Sequence, residues 1–209
     1  QMQLLTAPSF PFPLLGLIHL SNRIRLHRPL GGVSHLWISV HAQNLKPHPK
    51  GATFDIVTTA RDTLGLLWEA QSRMLCRGVK LEGAATDAAL PTPTHVSELT
   101  RWTAPADIGR RYARVSGDYN PIHLSALTAK LFGFPQAIAH GLWNTARSLA
   151  ALGEHLPAAQ IEIDVEFRKP VRLPSDVTLL ASAAGSSGEW LLKGAGEIEH
   201  MVGQWRPIT

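Results

Sequence analysis

A weak internal repeat of alternating residues constrains the fold of this chain more than any other feature of its sequence. Ile18–Arg25 aligns with Ile161–Arg168, and in both segments apolar and polar residues alternate before a final arginine. Alternation with a period of two is typical of a strand that buries one face. Further segments of strand character follow each copy, at 36–40, 53–59 and 66–76 and at 177–181 and 190–205. The pattern therefore predicts two similar antiparallel sheet units.

The segment between the two copies has the composition of a surface linker. Residues 83–93 are rich in Ala, Thr, Pro and Gly and contain few charged residues. We place the domain boundary there, with one unit at 1–82 and the other at 94–209. The first unit carries only the sheet pattern, so its helix is expected at or before Gln1, and this unit is expected to be incomplete at its N-terminus.

Helical signals precede the second copy. Ser125 is a candidate N-cap for a helix over 126–132, which Gly133 would end. A longer helix is predicted from about 140 to 152, closed by Gly153. Apolar side chains recur along it at spacings of three and four, and we expect this stripe to be buried against a sheet. The stripe consists of Leu142, Trp143, Ala146, Leu149 and Ala150.

Composition excludes several classes of protein. The net charge is +4, but the basic residues are scattered, which does not indicate a nucleic-acid-binding protein. Most of them are interpreted as a solvated surface, although Arg23, Arg25 and Arg168 could line an entrance for an anionic carrier. The single cysteine excludes an intramolecular disulfide and a cysteine zinc site, and favours a reducing, cytoplasmic setting. No apolar stretch is long enough to predict a membrane span or a signal peptide.

Asp118, Asn120 and His123 form the first candidate site. They lie within six positions around Pro121, and Gly117 and Asn120-Pro121 predict an irregular loop. A carboxylate and an imidazole held together can share a water, which the carboxylate orients while the imidazole transfers protons. The alternative is structural, with Asp118 or Asn120 capping a turn and His123 packed in the core.

The pair His140-Gly141 is the second candidate, because it lies at the predicted start of the long helix. Free N–H groups and the helix dipole would stabilise negative charge on a carbonyl oxygen near Gly141. The alternatives are a glycine needed for a tight entry into the helix and a histidine bonded to a neighbouring loop. The other histidines do not show metal-ligand spacing, and the nucleophile elbow, phosphate loop and dinucleotide fingerprint are missing from the sequence.

Three segments together resemble the signature of the MaoC-like dehydratases, which include the R-specific enoyl-CoA hydratases. They are 112–123, Gly133-Phe134 and Ile138–Leu142, and 165–174 resembles the strand that follows them in that family. The resemblance implies an α+β, double hot dog fold, in which each antiparallel sheet wraps a central helix. It also implies hydration and dehydration of 2-enoyl and (3R)-3-hydroxyacyl thioesters in fatty acid metabolism, on CoA or acyl-carrier protein, without a cofactor or metal.

Carried over by position, Asp118 and His123 would be the catalytic dyad, and the Gly141 N–H would bind the thioester oxygen. Asn120, His140 and Leu142 would line the substrate-binding site, with Asn120 also supporting the loop. One departure concerns Ala146, because some members of the family have a serine at this position.

Two other functions stay open at the level of sequence. A non-catalytic acyl-thioester-binding protein would share the fold, as would a hot dog thioesterase. The thioesterase needs a carboxylate on the central helix, and residues 140–152 contain no Asp or Glu. Because the dyad occurs once per two sheet units, the chain is expected to form its own pseudo-dimer, which leaves open a homodimer of two chains.

Overall fold

The computed structural model describes residues 1–14, 16–83 and 89–208, and its main element is a nine-stranded antiparallel sheet. In this part of the chain, four α-helices accompany the sheet: α1 (Met2–Leu5), α2 (Ile108–Ser116), α3 (Ala126–Lys130) and α4 (Gly141–Leu152). The strands are β1 (Leu17–Leu26), β2 (Trp37–His48), β3 (Gly51–Asp62), β4 (Gly65–Arg77), β5 (Ser97–Ala104), β6 (Ile161–Phe167), β7 (Ser175–Ala181), β8 (Gly188–Gly194) and β9 (Glu199–Pro207).

The strand order is nearly symmetrical about a central pair, with β5 as one additional strand at the end of the second half. It runs β2-β3-β4-β1-β6-β9-β8-β7-β5, so the two strands of the sequence repeat, β1 and β6, lie side by side. They are antiparallel, with Ile24 opposite Ile163. Each strand covers the edge that the other would expose, and the two sheets of the double hot dog join into one. The α+β, double hot dog fold class is thereby confirmed. The boundary at 83–93 stays a prediction, and its residues 84–88 lie outside the described residues.

The two faces of the central strands differ in chemistry. Ile24, Ile163 and Val165 belong to the core side, where they pack with Trp190 and Trp205 of the second unit. Arg23, on the outer face, donates to Asp164 at 2.7 Å. Further pairs there are Arg25 with Glu162 and Arg206 with both Glu162 and Asp164. Arg168 is likewise paired, with Glu199 and Glu166. These carboxylates compensate Arg23, Arg25 and Arg168, which favours the surface interpretation over an anion entrance.

The helices follow the sequence signals, with one difference. The Thr128 N–H donates to Ser125 Oγ at 3.1 Å, which caps α3, and Gly153 closes α4. The difference concerns α4. The predicted buried face of this helix was partly wrong, because Ala146 and Ala150 are exposed. Four side chains of α4 are buried instead: Asn144, Thr145, Ser148 and Leu152. Of the three polar side chains, Thr145 is satisfied by the helix, since its Oγ donates to the Gly141 carbonyl at 3.1 Å. Asn144 Oδ1 and Ser148 Oγ are buried without a hydrogen-bond partner among the described residues.

Three further features differ from the sequence expectations. Strand β5 and helix α2 were not predicted, and the segment 190–205 forms a hairpin of β8 and β9 rather than one strand. Within 1–14 and 16–83 the structure describes one helical turn, α1. None of the described helices combines the length and the apolar character that crossing a membrane requires.

Candidate active site

The loop after α2 is held in shape by its own polar side chains. Gly117 ends α2 in a left-handed conformation, φ 73°, and its N–H donates to the Ala113 carbonyl at 2.9 Å. The Asn120 N–H then donates to Asp118 Oδ1 at 3.1 Å. Asn120 Oδ1 in turn accepts from the Ile122 N–H at 3.4 Å, which starts a one-turn helix that ends at His123. The run of turn-forming residues therefore fixes the spacing between Asp118 and His123.

His123 is buried, and one of its ring nitrogens is fixed by the backbone. His123 Nδ1 lies 2.8 Å from the Ile138 carbonyl oxygen, which can only accept, so Nδ1 carries the proton. The pKa of His123 is lowered to about 4 by burial and by the neighbouring His140, although the Ile138 bond and the charge of Asp118 act to raise it. The ring is therefore neutral at pH 7, with the lone pair on Nε2.

His140 lies against His123 and is bonded to the Asp118 loop. The two imidazole rings are stacked, with centroids 3.6 Å apart and an interplanar angle of 24°. His140 Nε2–H donates to the Asp118 backbone carbonyl at 3.0 Å, and Asp118 Oδ2 is 3.9 Å from the same nitrogen. Burial lowers the pKa of His140, against the raising influence of Asp118. Both stacked rings are thus neutral, and His140 ties the start of α4 to the Asp118 loop.

The start of α4 is anchored from the other side by a short strand-like segment. The Ala139 N–H donates to the Val171 carbonyl at 2.9 Å, and the Leu173 N–H donates to the Ala137 carbonyl at 2.8 Å. Gly141 follows as the first residue of α4, where backbone N–H groups have no partner within the helix. A Cβ on Gly141 would lie 2.8 Å from Cε1 of Phe167, so a side chain at this position would displace the Phe167 ring.

The structure therefore brings Asp118, His123 and His140 together at the start of α4. Each of the three offers an atom within 4.8 Å of the others, which is close enough for a metal site. However, imidazole lone pairs lie in the ring plane, and two stacked, nearly parallel rings direct them side by side rather than onto one ion. The arrangement fits proton transfer better than metal binding.

The two remaining predicted site residues are Asn120, in the loop, and Leu142, at the start of α4. The side-chain oxygen of Asn120 is used by the loop, and Leu142 lies partly buried in the first turn of α4. Their assignment to substrate binding stays a prediction, as do the roles of Asp118, His123, His140 and Gly141.

Two residues of α2 that sequence reasoning missed also shape the site. The Tyr112 ring lies 5.0 Å from that of His140, and burial and the Asp118 charge raise the pKa of Tyr112. Gly109 packs on the backbone of His123, since a Cβ there would lie 1.8 Å from the His123 carbonyl oxygen. Gly109 could not be recognised from the sequence, because helix α2 was not predicted.

Comparisons with known proteins find a matching family and similar proteins. Residues 86–198 match the family model of MaoC-like domains. The 3-hydroxyacyl-thioester dehydratase X of Mycobacterium tuberculosis is 37% identical over 195 residues, which cover 90% of this chain and 67% of that protein.

Solved structures show the same similarity. The crystal structure of HtdX from Mycobacterium tuberculosis has a TM-score of 0.81 at 31% identity, covering 99% of this chain and 83% of that one. A MaoC-like dehydratase from Phytophthora capsici, with a TM-score of 0.73 at 20% identity, is similar in fold over 93% of this chain and 72% of its own.

Proposed function

Because the chain belongs to the MaoC-like domain family, we propose that it is a hydratase and dehydratase of 2-enoyl and (3R)-3-hydroxyacyl thioesters. Asp118 and His123 are the catalytic pair in this proposal, and the Gly141 N–H is the donor to the thioester oxygen. Support comes from the relative named 3-hydroxyacyl-thioester dehydratase, and from the burial of a neutral histidine beside a carboxylate.

The reaction needs one proton acceptor and one site for negative charge. In hydration, a water oriented by Asp118 gives a proton to His123 Nε2 while its oxygen bonds to C3. The electrons of the C2–C3 double bond move toward the thioester oxygen, whose charge faces the Gly141 N–H and the positive end of α4. C2 then takes a proton from the pair, which restores both groups. Dehydration is the same sequence in reverse.

The observation that carries this proposal is the bond from His123 Nδ1 to the Ile138 carbonyl. It fixes the tautomer, so that Nε2 keeps its lone pair at neutral pH. His140 acts as a positioning residue, because its bond to the Asp118 carbonyl fixes the backbone that carries the carboxylate. Asn120 is a second positioning residue, because it caps the turn that ends at His123.

The test is the loss of absorbance of the enoyl thioester in crotonyl-CoA, repeated with longer 2-enoyl-CoAs. His123→Gln and Asp118→Asn should each lower kcat by about 10²- to 10⁴-fold, the usual contribution of general acid–base catalysis. Melting temperatures should change little, because neither substitution alters the size of the side chain much.

The matched controls are His155→Gln and Asp176→Asn. The His155 ring bonds to the Leu152 carbonyl at the far end of α4, and Asp176 lies on β7, where it accepts from Thr103. Both variants should keep wild-type turnover. A His123→Gln or Asp118→Asn enzyme that turns over at the wild-type rate would exclude the proposed pair.

The two other functions make different predictions. A binding protein would retain enoyl-CoA without turnover, and a thioesterase would release free thiol. Residues 141–152 of α4 supply no carboxylate to direct water at the carbonyl, which argues against the thioesterase. The proposal covers thioesters of both CoA and acyl-carrier protein. It also includes a cytoplasmic location and a homodimer of two chains. The free, buried Cys76 supports a reducing location.

A further inference from the structure

The two short helices beside the candidate active site expose apolar side chains to solvent. α2 ends two residues before the loop 118–123, and α3 begins three residues after it. Val115, Leu127 and Leu131 are 84%, 77% and 79% exposed, and Tyr119 in the loop is 57% exposed. Single exposed apolar residues are common, but several of them around a site indicate a contact surface.

The same two helices carry positive charge. Their basic residues are Arg110, Arg111, Arg114 and Lys130. Because α2 buries Ile108, Gly109 and Ala113, its arginines lie together with Val115 on the opposite, exposed face. Arg111 is 3.9 Å from Asp107. Arg114 and Lys130 have no carboxylate partner within the described part of the chain, in contrast to the compensated arginines of the central strands.

A hydrogen bond makes the exposed faces of the two helices neighbours. Arg110 Nη1 donates to the Leu124 carbonyl at 3.0 Å, and Leu124 directly precedes Ser125, the N-cap of α3. On α3, the exposed residues are three and four positions apart and so share one face. We call the combined face the α2–α3 surface. It consists of Arg110, Arg114, Val115, Leu127, Lys130 and Leu131.

The α2–α3 surface flanks the accessible side of the candidate site. The Asp118 side chain is 34% exposed, whereas that of His140 is 4% exposed and His123 is buried. Among these three side chains, solvent therefore reaches mainly Asp118. A thioester that enters on this side passes the loop between α2 and α3, and the group that carries it then lies next to the α2–α3 surface.

Apolar side chains among unpaired cations are complementary to an acidic amphipathic helix. The two carriers of the proposed substrates differ in this respect. CoA supplies phosphates that pair with cations, but it has no apolar helix face for Val115, Leu127 and Leu131. A carrier protein can supply both carboxylates and an apolar stripe, and it holds the thioester on a flexible arm.

We propose that the α2–α3 surface docks an acidic amphipathic helix of an acyl-carrier protein, whose thioester then enters the site on the Asp118 side. This inference rests on the proposed function for the reaction, and it adds that the chain prefers a thioester carried by a protein.

The test compares three crotonyl thioesters: those of a bacterial acyl-carrier protein, of CoA and of pantetheine, which has the arm without phosphate or protein. In wild type, kcat/KM should be at least about tenfold higher for the carrier protein than for pantetheine. This advantage should shrink between about 0.1 M and 1 M salt, because the screening length falls from about 10 Å to about 3 Å.

Arg114→Glu and Leu127→Gln separate the charged from the apolar contribution. Each should lower kcat/KM for the crotonyl carrier protein by about tenfold, mainly through KM, because both contacts are remote from the reacting carbons. Turnover of crotonyl-pantetheine should stay within about twofold in both variants, which also shows that they are folded. Leu127→Gln should leave crotonyl-CoA unaffected.

The matched controls are Arg61→Glu and Leu64→Gln. Arg61 and Leu64 are exposed in the first unit, where Arg61 is near the end of β3 and Leu64 lies in the turn before β4. Both variants should keep wild-type kcat/KM on all three thioesters.

A wild type that does not prefer the carrier protein to pantetheine, or equal losses on all three thioesters, would overturn the docking. A loss on CoA and carrier protein alike in Arg114→Glu, without one in Leu127→Gln, would assign the arginines to a phosphate and overturn it too. A lower molar mass of Leu127→Gln in sedimentation would assign the surface to a second copy of the chain, with the same consequence.

If wild type turns over none of the thioesters, the proposed function fails instead. Docking is then measured by calorimetry as the dissociation constant of the crotonyl carrier protein. Weaker binding in both Arg114→Glu and Leu127→Gln supports the docking, and binding as tight as that of wild type overturns it.

Discussion

Gly109→Ala should displace His123, the proposed catalytic histidine, while the protein stays folded. Gly109 lies in the first turn of α2, with its Cα directly against the backbone of His123. A Cβ there would be 1.8 Å from the His123 carbonyl oxygen, 2.9 Å from its carbonyl carbon and 3.4 Å from its Cα. Because all three atoms are backbone, no side-chain rotation relieves the contact. Either α2 or the peptide of His123 must shift by more than an ångström.

Two opposing contributions set the change in the free energy of unfolding. Alanine favours a helix over glycine by up to about 1 kcal/mol, while overpacking a buried contact costs about 1–3 kcal/mol. The free energy of unfolding should therefore fall by roughly 1–2 kcal/mol, which leaves the protein folded. Catalysis should suffer more, because a displacement of about 1 Å in a positioned group costs about 100-fold. The 2.8 Å bond from His123 Nδ1 to the Ile138 carbonyl is the contact that this displacement would break.

The assay combines urea unfolding, followed by circular dichroism, with kcat for crotonyl-CoA. Gly31→Ala is the control, because a Cβ at Gly31 meets no atom within 4 Å. Histidine ¹⁵N chemical shifts report whether Nδ1 of His123 keeps its proton. If Gly109→Ala retains wild-type kcat and unchanged His123 shifts, packing on α2 does not position the histidine and the reasoning is refuted.

Further predictions concern pH, a buried carboxylate and a hydroxyl. His19 and His123 have folded pKa values of about 4 against 6.5 unfolded, so the native state binds fewer protons and stability is lost as pH falls through this window. The free energy of unfolding from urea melts should be lower at pH 5.5 than at pH 7.5, by on the order of 1 kcal/mol for each histidine, and a flat profile would contradict the shifts. Asp55→Ala should lower the unfolding free energy by about 3–5 kcal/mol in urea melts, because Asp55 is the buried acceptor for Arg73, Asn44 and Gln71. Its kcat should not change, and a urea midpoint equal to wild type would argue against that role. Thr145→Val should leave kcat within about threefold, since the Thr145 hydroxyl is used by the Gly141 carbonyl and the Met201 sulfur. A larger loss would mean that this hydroxyl, adjacent to Ala146, assists the reaction.

The elements that sequence could predict are those with complete local signals. α3 has a Ser125 cap, α4 has Gly153 at its end, and β1 and β6 show clear alternation. Strand β5 was missed because its two large apolar residues, Leu99 and Trp102, are three positions apart rather than two or four, so its sequence does not show the period of two.

The candidate site likewise contains residues that the sequence could group and residues that it could not. Asp118, His123 and His140 lie in one short stretch of chain, so motif and loop chemistry could group them. The positions of Gly109 and of His19, whose ring lies against Phe167, depend on tertiary structure. Gly109 matters through its packing on a backbone carbonyl, and His19 is placed by a β-bulge at Leu20 that decides which face it occupies. Alternation alone places His19 with Arg23 and Arg25 on the outer face, since a shift of one residue exchanges the two faces of a strand.

The bulge also gives a reason for the first unit to accompany a site whose motif occurs once. β1 pairs with β6, the strand that ends at Phe167, so the edge that the second unit would otherwise expose is covered. The extra residue in β1 then turns His19 against Phe167, beside the start of α4.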